Sequence, residues 1–95
     1  MTQKEVLDFL KSKKKFFKQE FAIEKIGLFG SYARGDYTQN SDIDLVIVTS
    51  KKSFRNRYAL KEYLEKSLQK DIDIGYLDSL REFIKNNIKD EIIYV

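Results

Sequence analysis

The chain contains no cysteine and no histidine, and these two absences remove several catalytic repertoires at once. Without cysteine there can be no disulfide and no thiolate metal site. Without histidine there is no Ser-His-Asp triad, no Cys-His pair and none of the usual zinc sites. Proline is also missing and glycine occurs only four times. No internal repeat or low-complexity linker interrupts the sequence, so a single domain over residues 1–95 is expected. No stretch approaches the ~20 apolar residues of a membrane span, and the opening MTQKEVLDFLKSKKK lacks the apolar run of a secretory signal. A cytoplasmic protein with no membrane partner is therefore expected. Chemistry is left to carboxylates, hydroxyls, basic side chains, backbone groups and a metal that accepts oxygen ligands: magnesium, calcium or manganese.

Hydrophobic residues make up 42% of the chain and charged residues 35%, the balance of a soluble globular protein. A chain of this length hides only roughly 60 to 65% of the surface its unfolded form exposes. Its core must be thin, and any active site must lie near the surface. The net charge of +3 owes much to Lys11, Lys13, Lys14, Lys15 and Lys18, which occur together with no acid between them. No basic stripe elsewhere extends this run, so it reads as a solvated helix face, and nucleic acid is not the expected partner.

Thr2 and Glu5 form a capping box, and Val6, Phe9, Leu10, Phe16 and Phe17 follow on one face at helical spacing. A first helix over residues 3–19 is predicted, with Lys13 on the apolar stripe and its ammonium turned outward. The run from Lys25 to Phe29 predicts a strand that ends at Gly30, and Ser31 to Arg34 predicts a short helix closed by Gly35. Turn formers fill residues 36–41. Asp42 to Thr49 predicts a central strand, with Ile43, Leu45 and Ile47 on one face and Asp42, Asp44, Val46 and Val48 on the other. A helix from about Phe54 to Gln69 follows, bearing Leu60, Tyr63, Leu64 and Leu68 on one side. Asp71 to Tyr76 predicts a third strand. Ser79 and Glu82 suggest a second capping box for a helix with Leu80, Phe83, Ile84 and Ile88 inward, and EIIYV predicts a last short strand.

Two of these strands begin with Asp-Ile-Asp, so each carries two acids on a single face. If the strands are neighbours, the carboxylates converge. Like charges ~4 Å apart repel by ~4 kcal/mol per pair at an effective dielectric of 20, so such a cluster calls for a cation. Magnesium held by one or two carboxylates and completed by phosphate oxygens and water is the usual arrangement in enzymes of nucleoside triphosphates. Gly30 and Ser31, between a strand and a helical turn, let a backbone approach a phosphate and donate to it. The segment is not a P-loop, because Asp36 and Tyr37 stand where that motif requires Lys followed by Ser or Thr.

The run GSYARGDYTQNSDIDLVI, Gly30 to Ile47, resembles the signature of the minimal nucleotidyltransferases of the DNA polymerase beta-like superfamily: Gly-Ser, ten residues, then Asp-x-Asp. Gly30, Ser31, Ala33, Arg34, Gly35, Asp36, Ser41, Asp42, Ile43, Asp44 and Leu45 match it, and the order of elements fits nearly the whole chain. The resemblance implies an α/β (α+β) fold, a small mixed sheet flanked by helices. It implies that Gly30 and Ser31 contact the triphosphate of ATP and that Asp42 and Asp44 bind magnesium, with manganese the other candidate ion. Asp73, between Ile72 and Ile74, matches the third acid, as metal ligand and general base; Asp71 is the reserve. Arg34 would compensate charge at phosphate or partner, or pair with Asp36. Ser41 would touch the nucleotide or hold the turn before Asp42.

Members of this kind resemble antitoxins whose partner is a HEPN-domain ribonuclease toxin in a hetero-oligomer. The resemblance implies transfer of AMP from ATP to a tyrosine of that toxin, which silences it. Two other readings stay open: an antitoxin that inhibits by binding and occlusion alone, and a nucleotidyltransferase acting on a small molecule or on RNA.

Overall fold

The computed structural model describes all residues, 1–95. Apolar residues at helical spacing fold the start of the chain into α1 (Gln3–Ser12) and α2 (Lys14–Phe21). The Thr2–Glu5 capping box forms as expected. The single helix predicted over 3–19 is instead two. Lys13 lies on the apolar stripe, where an inward ammonium would be costly to bury. The helix ends at Ser12 and restarts at Lys14, leaving Lys13 half-buried at the joint.

Four strands form one sheet in the order β3-β2-β1-β4. Strand β1 (Ile23–Phe29) runs antiparallel to β2 (Ile43–Thr49) and to the short β4 (Ile93–Tyr94). Strand β3 (Ile72–Tyr76) runs parallel to β2 and is reached through α4 (Phe54–Leu68). Between β1 and β2 lies α3 (Ser31–Arg34), one turn of helix closed by Gly35. The expected α/β architecture, a small mixed sheet flanked by helices, is met.

The side-chain alternation of β2 sets two unequal layers. Ile43, Leu45 and Ile47 join Ile26, Leu28, Ile72 and Ile74 against Val6, Leu10 and Phe17 of the first helices and Leu60, Leu64 and Leu68 of α4. Phe16, Phe17 and Phe21 pack their rings against Tyr63, which fixes α2 to α4. The buried Asn56 donates from its side-chain amide to the carbonyls of Phe21 and Lys51, and the Thr49 hydroxyl reaches the Ala22 carbonyl. The C-terminal end of α2 is thereby satisfied away from water.

On the opposite face Val46 packs with Ile84 and Ile88. Its neighbours in the ladder are Gly27 and Gly75. A Cβ on Gly75 would come within 2.5 Å of Leu80, and one on Gly27 within 2.8 Å of Ile92. The two glycines therefore let the C-terminal segment settle directly onto the sheet. That segment departs from the expected helix: α5 (Arg81–Phe83) is one turn and widens into a π-helical turn, Ile84–Ile88. The second capping box does not form, because Leu80 occupies the cap position with no side-chain hydrogen bond.

Tyr32 is completely buried, stacks on Tyr37 at 4.3 Å between ring centroids, and has no partner for its hydroxyl. A buried unpaired hydroxyl costs about 1 kcal/mol or more. Tyr32→Phe is expected to raise the thermal midpoint by several degrees; an unchanged or lower midpoint in calorimetry would show that the hydroxyl is satisfied in solution.

Candidate active site

Strand direction gathers the acids at one end of the sheet. Because β1 is antiparallel to β2, its last residues, Phe29 and Gly30, lie beside the first residues of β2. Because β3 is parallel to β2, its first residues lie there too. Asp44 is paired with Phe29 on one side and with Asp73 on the other, so Asp44 and Asp73 project from the same face of adjacent strands. Asp42, expected to open the strand, sits just before it and is exposed, as is Asp73; Asp44 is half-buried.

Asp44 bears the electrostatic cost of this arrangement. Burial, followed by the charges of Asp73 and Asp42, pushes its carboxyl from 3.8 up to about 6, against a smaller pull from Arg34. The donor set therefore fits a hard cation, which would offset the mutual repulsion of the acids. No three of these acids yet close a cage around a common point. Magnesium needs only one or two carboxylates when phosphate oxygens complete its shell.

Gly30 adjoins Asp44 closely. Its backbone is at φ 75°, ψ −155°, and a Cβ there would fall 2.2 Å from the Asp44 carboxylate oxygen Oδ2. Ser31 is half-buried at the start of α3. Arg34, at the end of that turn, donates to Asp36 at 3.1 Å and to Glu91 at 3.0 Å. The expected pairing with Asp36 is thus present but is only half of the environment of Arg34.

Glu91 was not legible as a site residue. Its Oε2 accepts the Gly30 N–H at 2.9 Å while Oε1 accepts from Arg34, and its side chain is only 14% exposed. One carboxylate thus occupies two groups that could receive phosphate. Nothing local marks it, since its partners lie 57 and 61 residues away. The signal lies instead in Gly27 and Gly75, which admit the C-terminal segment to the sheet.

Ser41 is engaged in its own turn: its hydroxyl accepts the Thr38 N–H at 2.8 Å and its N–H donates to the Thr38 carbonyl. Of its two expected roles, the turn is the one with a visible partner. Asp71 is exposed and shares a polar cleft of about 430 Å³ with Asp42 and Lys70. It precedes Ile72, where the ladder with β2 begins, and so lies two residues before the row of Asp44 and Asp73.

The nucleotidyltransferase domain model matches residues 10–95. The chain belongs to the nucleotidyltransferase domain family. It is 37% identical, over 99% of its length and 98% of the relative's, to a chain of Methanocaldococcus jannaschii assigned to the protein adenylyltransferases. It is 32% identical, over 100% of its length and 97% of the relative's, to the protein adenylyltransferase MntA of Thermococcus cleftensis. A crystal structure of a toxin–antitoxin with AMP-PNP superposes with a TM-score of 0.70 at 22% identity, over 99% of this chain and 72% of that one. At that identity the likeness speaks for the fold. No helix of this nucleotidyltransferase is long and apolar enough to cross a membrane.

Proposed function

We propose that this nucleotidyltransferase is a cytoplasmic antitoxin that transfers AMP from ATP to a tyrosine of a HEPN-type ribonuclease toxin and so neutralises it. The observation that carries the reading is the pairing of Asp44 with Asp73 in adjacent strands, with Gly30 packed against Asp44. The names of its relatives, protein adenylyltransferases, supply the class of acceptor.

In this reading Gly30 and Ser31 receive the triphosphate, and Arg34 offsets its charge. Asp42, Asp44 and Asp73 would be the residues that hold magnesium, one or two of them at a time with phosphate oxygens completing the shell, and the ion would supply neutralisation of the charge on the triphosphate. The tyrosine oxygen attacks the α-phosphorus, a new phosphorus–oxygen bond forms, and the bond to the pyrophosphate oxygen breaks. Asp73 accepts the tyrosine proton. Ser41 contributes by fixing the turn that delivers Asp42.

Intact-mass spectrometry of a co-expressed HEPN partner tests this directly. With ATP and magnesium the partner should gain whole AMP units and lose ribonuclease activity. Neutralisation at unchanged mass would instead establish inhibition by occlusion.

Glu91 yields a separate expectation. A triphosphate at Gly30 and Arg34 must displace its carboxylate, and a charged group that remains nearby repels phosphate. Glu91→Gln keeps the shape and removes the charge, and should tighten magnesium–ATP binding by about tenfold, near the worth of one charge-assisted hydrogen bond. Titration calorimetry reads this; weaker binding would mean that Glu91 supports the loop.

A further inference from the structure

Strand order gives the active site two distinct sides. Gly30, taken above as a triphosphate contact with Arg34 at the far end of α3, follows directly on β1; Asp44 lies on β2; Asp73 lies on β3, the edge of the sheet. In an in-line displacement the attacking and leaving oxygens lie on opposite sides of the phosphorus. An acceptor must therefore approach over the β3 edge, past Asp73.

That approach has a built wall. Asp73 lines a cavity of about 350 Å³ together with Ile74 and with Phe54, Arg57, Tyr58 and Lys61 of α4. Phe54 is 76% exposed and Tyr58 56% exposed, and their rings stack at 6.2 Å between centroids. Neither ring belongs to the buried core.

Within the cavity the cations are Arg57 and Lys61 and the one acid is Asp73. Arg57, Lys61 and Arg55, which lies on the adjoining flank of α4, carry no salt bridge, and the first turn of α4 contains no acid. A helix start favours anions, so arginines there go against the dipole of α4. Arg57 is held by the Ile74 carbonyl at 3.1 Å and lies over the Tyr76 ring. The result is a cationic, aromatic surface leading to the proposed general base. Aromatic residues and arginine are the side chains that dominate binding energy at protein interfaces.

We propose that the N-terminal half of α4, Phe54 to Lys61, is the docking surface for the acceptor protein and receives an acidic segment flanking the modified hydroxyl. This rests on the transfer reading above for the identity of the acceptor, while the surface itself can be tested by binding alone. Phe54 and Tyr58 supply the apolar contact; Arg55 and Lys61 supply charge complementarity.

The binding probe is a synthetic peptide with one tyrosine flanked by aspartate and glutamate, compared with a lysine-flanked version and a uridine oligomer. The acidic peptide should bind best, and Phe54→Ser/Tyr58→Ser and Arg55→Glu/Lys61→Glu should each weaken it at least tenfold without changing ATP affinity. Lys14→Glu/Lys15→Glu, on α2, should leave it unchanged. With the HEPN partner as substrate, the α4 variants should raise KM at least tenfold and alter kcat less than about threefold. Equal binding of acidic and basic peptides, preference for the uridine oligomer, or wild-type KM in the α4 variants would overturn the docking surface. If the wild-type protein leaves the partner unmodified yet loses the acidic peptide on α4 substitution, the docking surface stands and the transfer reading falls.

Discussion

Asp44→Asn is expected to reduce AMP transfer by at least about a thousandfold and, in the same protein, to raise thermal stability. The first effect follows from removing a charged metal ligand at the centre of the acidic row, where electrostatic stabilisation of the transferring phosphoryl is the largest contribution to rate. The second follows from the strained ionisation of that carboxylate. Its pKa stands at about 6 against an ordinary 3.8, so the folded state holds a proton more tightly than the unfolded state does. Below about pH 4 both states are protonated and no cost arises. As pH rises from about 4 to 6 the penalty builds, and above 6 it is complete. At ~1.4 kcal/mol per unit the ceiling is ~3 kcal/mol, and solvent access to a half-buried group reduces the expectation to about 1–2 kcal/mol. For a domain of this size that corresponds to roughly 4–16 °C in the melting midpoint at pH 7.5 without divalent ion. At pH 4 the gain should vanish, and magnesium should close the gap by stabilising the wild-type protein alone. A variant as active as wild type would end the metal reading; an inactive variant with no gain in stability would mean that the carboxylates are already relieved.

The local signals in the sequence were strong where spacing alone decides the structure. The alternation in DIDLVIVT gave the two faces of β2, and the repeated Asp-Ile-Asp predicted acids that meet only if β2 and β3 adjoin, which the ladder confirms. The helix of Leu60, Leu64 and Leu68 was equally clear, since three buried leucines at i, i+4 and i+8 leave one possible face. What escaped was set by contacts distant in sequence. The break at Lys13 arises because a charged residue falls on a stripe that otherwise belongs inside, a conflict that periodicity detects but does not resolve. The Ser79–Glu82 pattern failed as a cap because the chain settles onto the Gly27 and Gly75 row, where Leu80 packs into the space above Gly75. That same docking carries Glu91 to Gly30, so a cap that did not form and a site residue that was not foreseen share one cause.

Gly30→Ala should be the most damaging single methyl group in the chain. At φ 75° and ψ −155° the backbone lies in a region that is essentially closed to residues with a Cβ, at a cost of about 1–3 kcal/mol. The new carbon would also stand 2.2 Å from Oδ2, 3.0 Å from Cγ and 3.2 Å from Cβ of Asp44. The carboxylate must move, and displacement of a positioned group by about 1 Å can cost a hundredfold in rate. The expected result is a loss of about 2–4 kcal/mol in stability and of at least a hundredfold in transfer. Gly35→Ala is the natural comparison, because φ is again positive at 89° but nothing lies within 4 Å of the new carbon. It should cost only about 1–2 kcal/mol of backbone strain and leave transfer near wild type. A double-mutant cycle separates strain from collision. In an Asp44→Ala background the Gly30→Ala penalty should shrink to the backbone part, because the oxygen it strikes is gone. A penalty that stayed the same in both backgrounds would mean that Gly30 is required for its backbone conformation alone, and its contact with Asp44 would carry no weight in the design of the site.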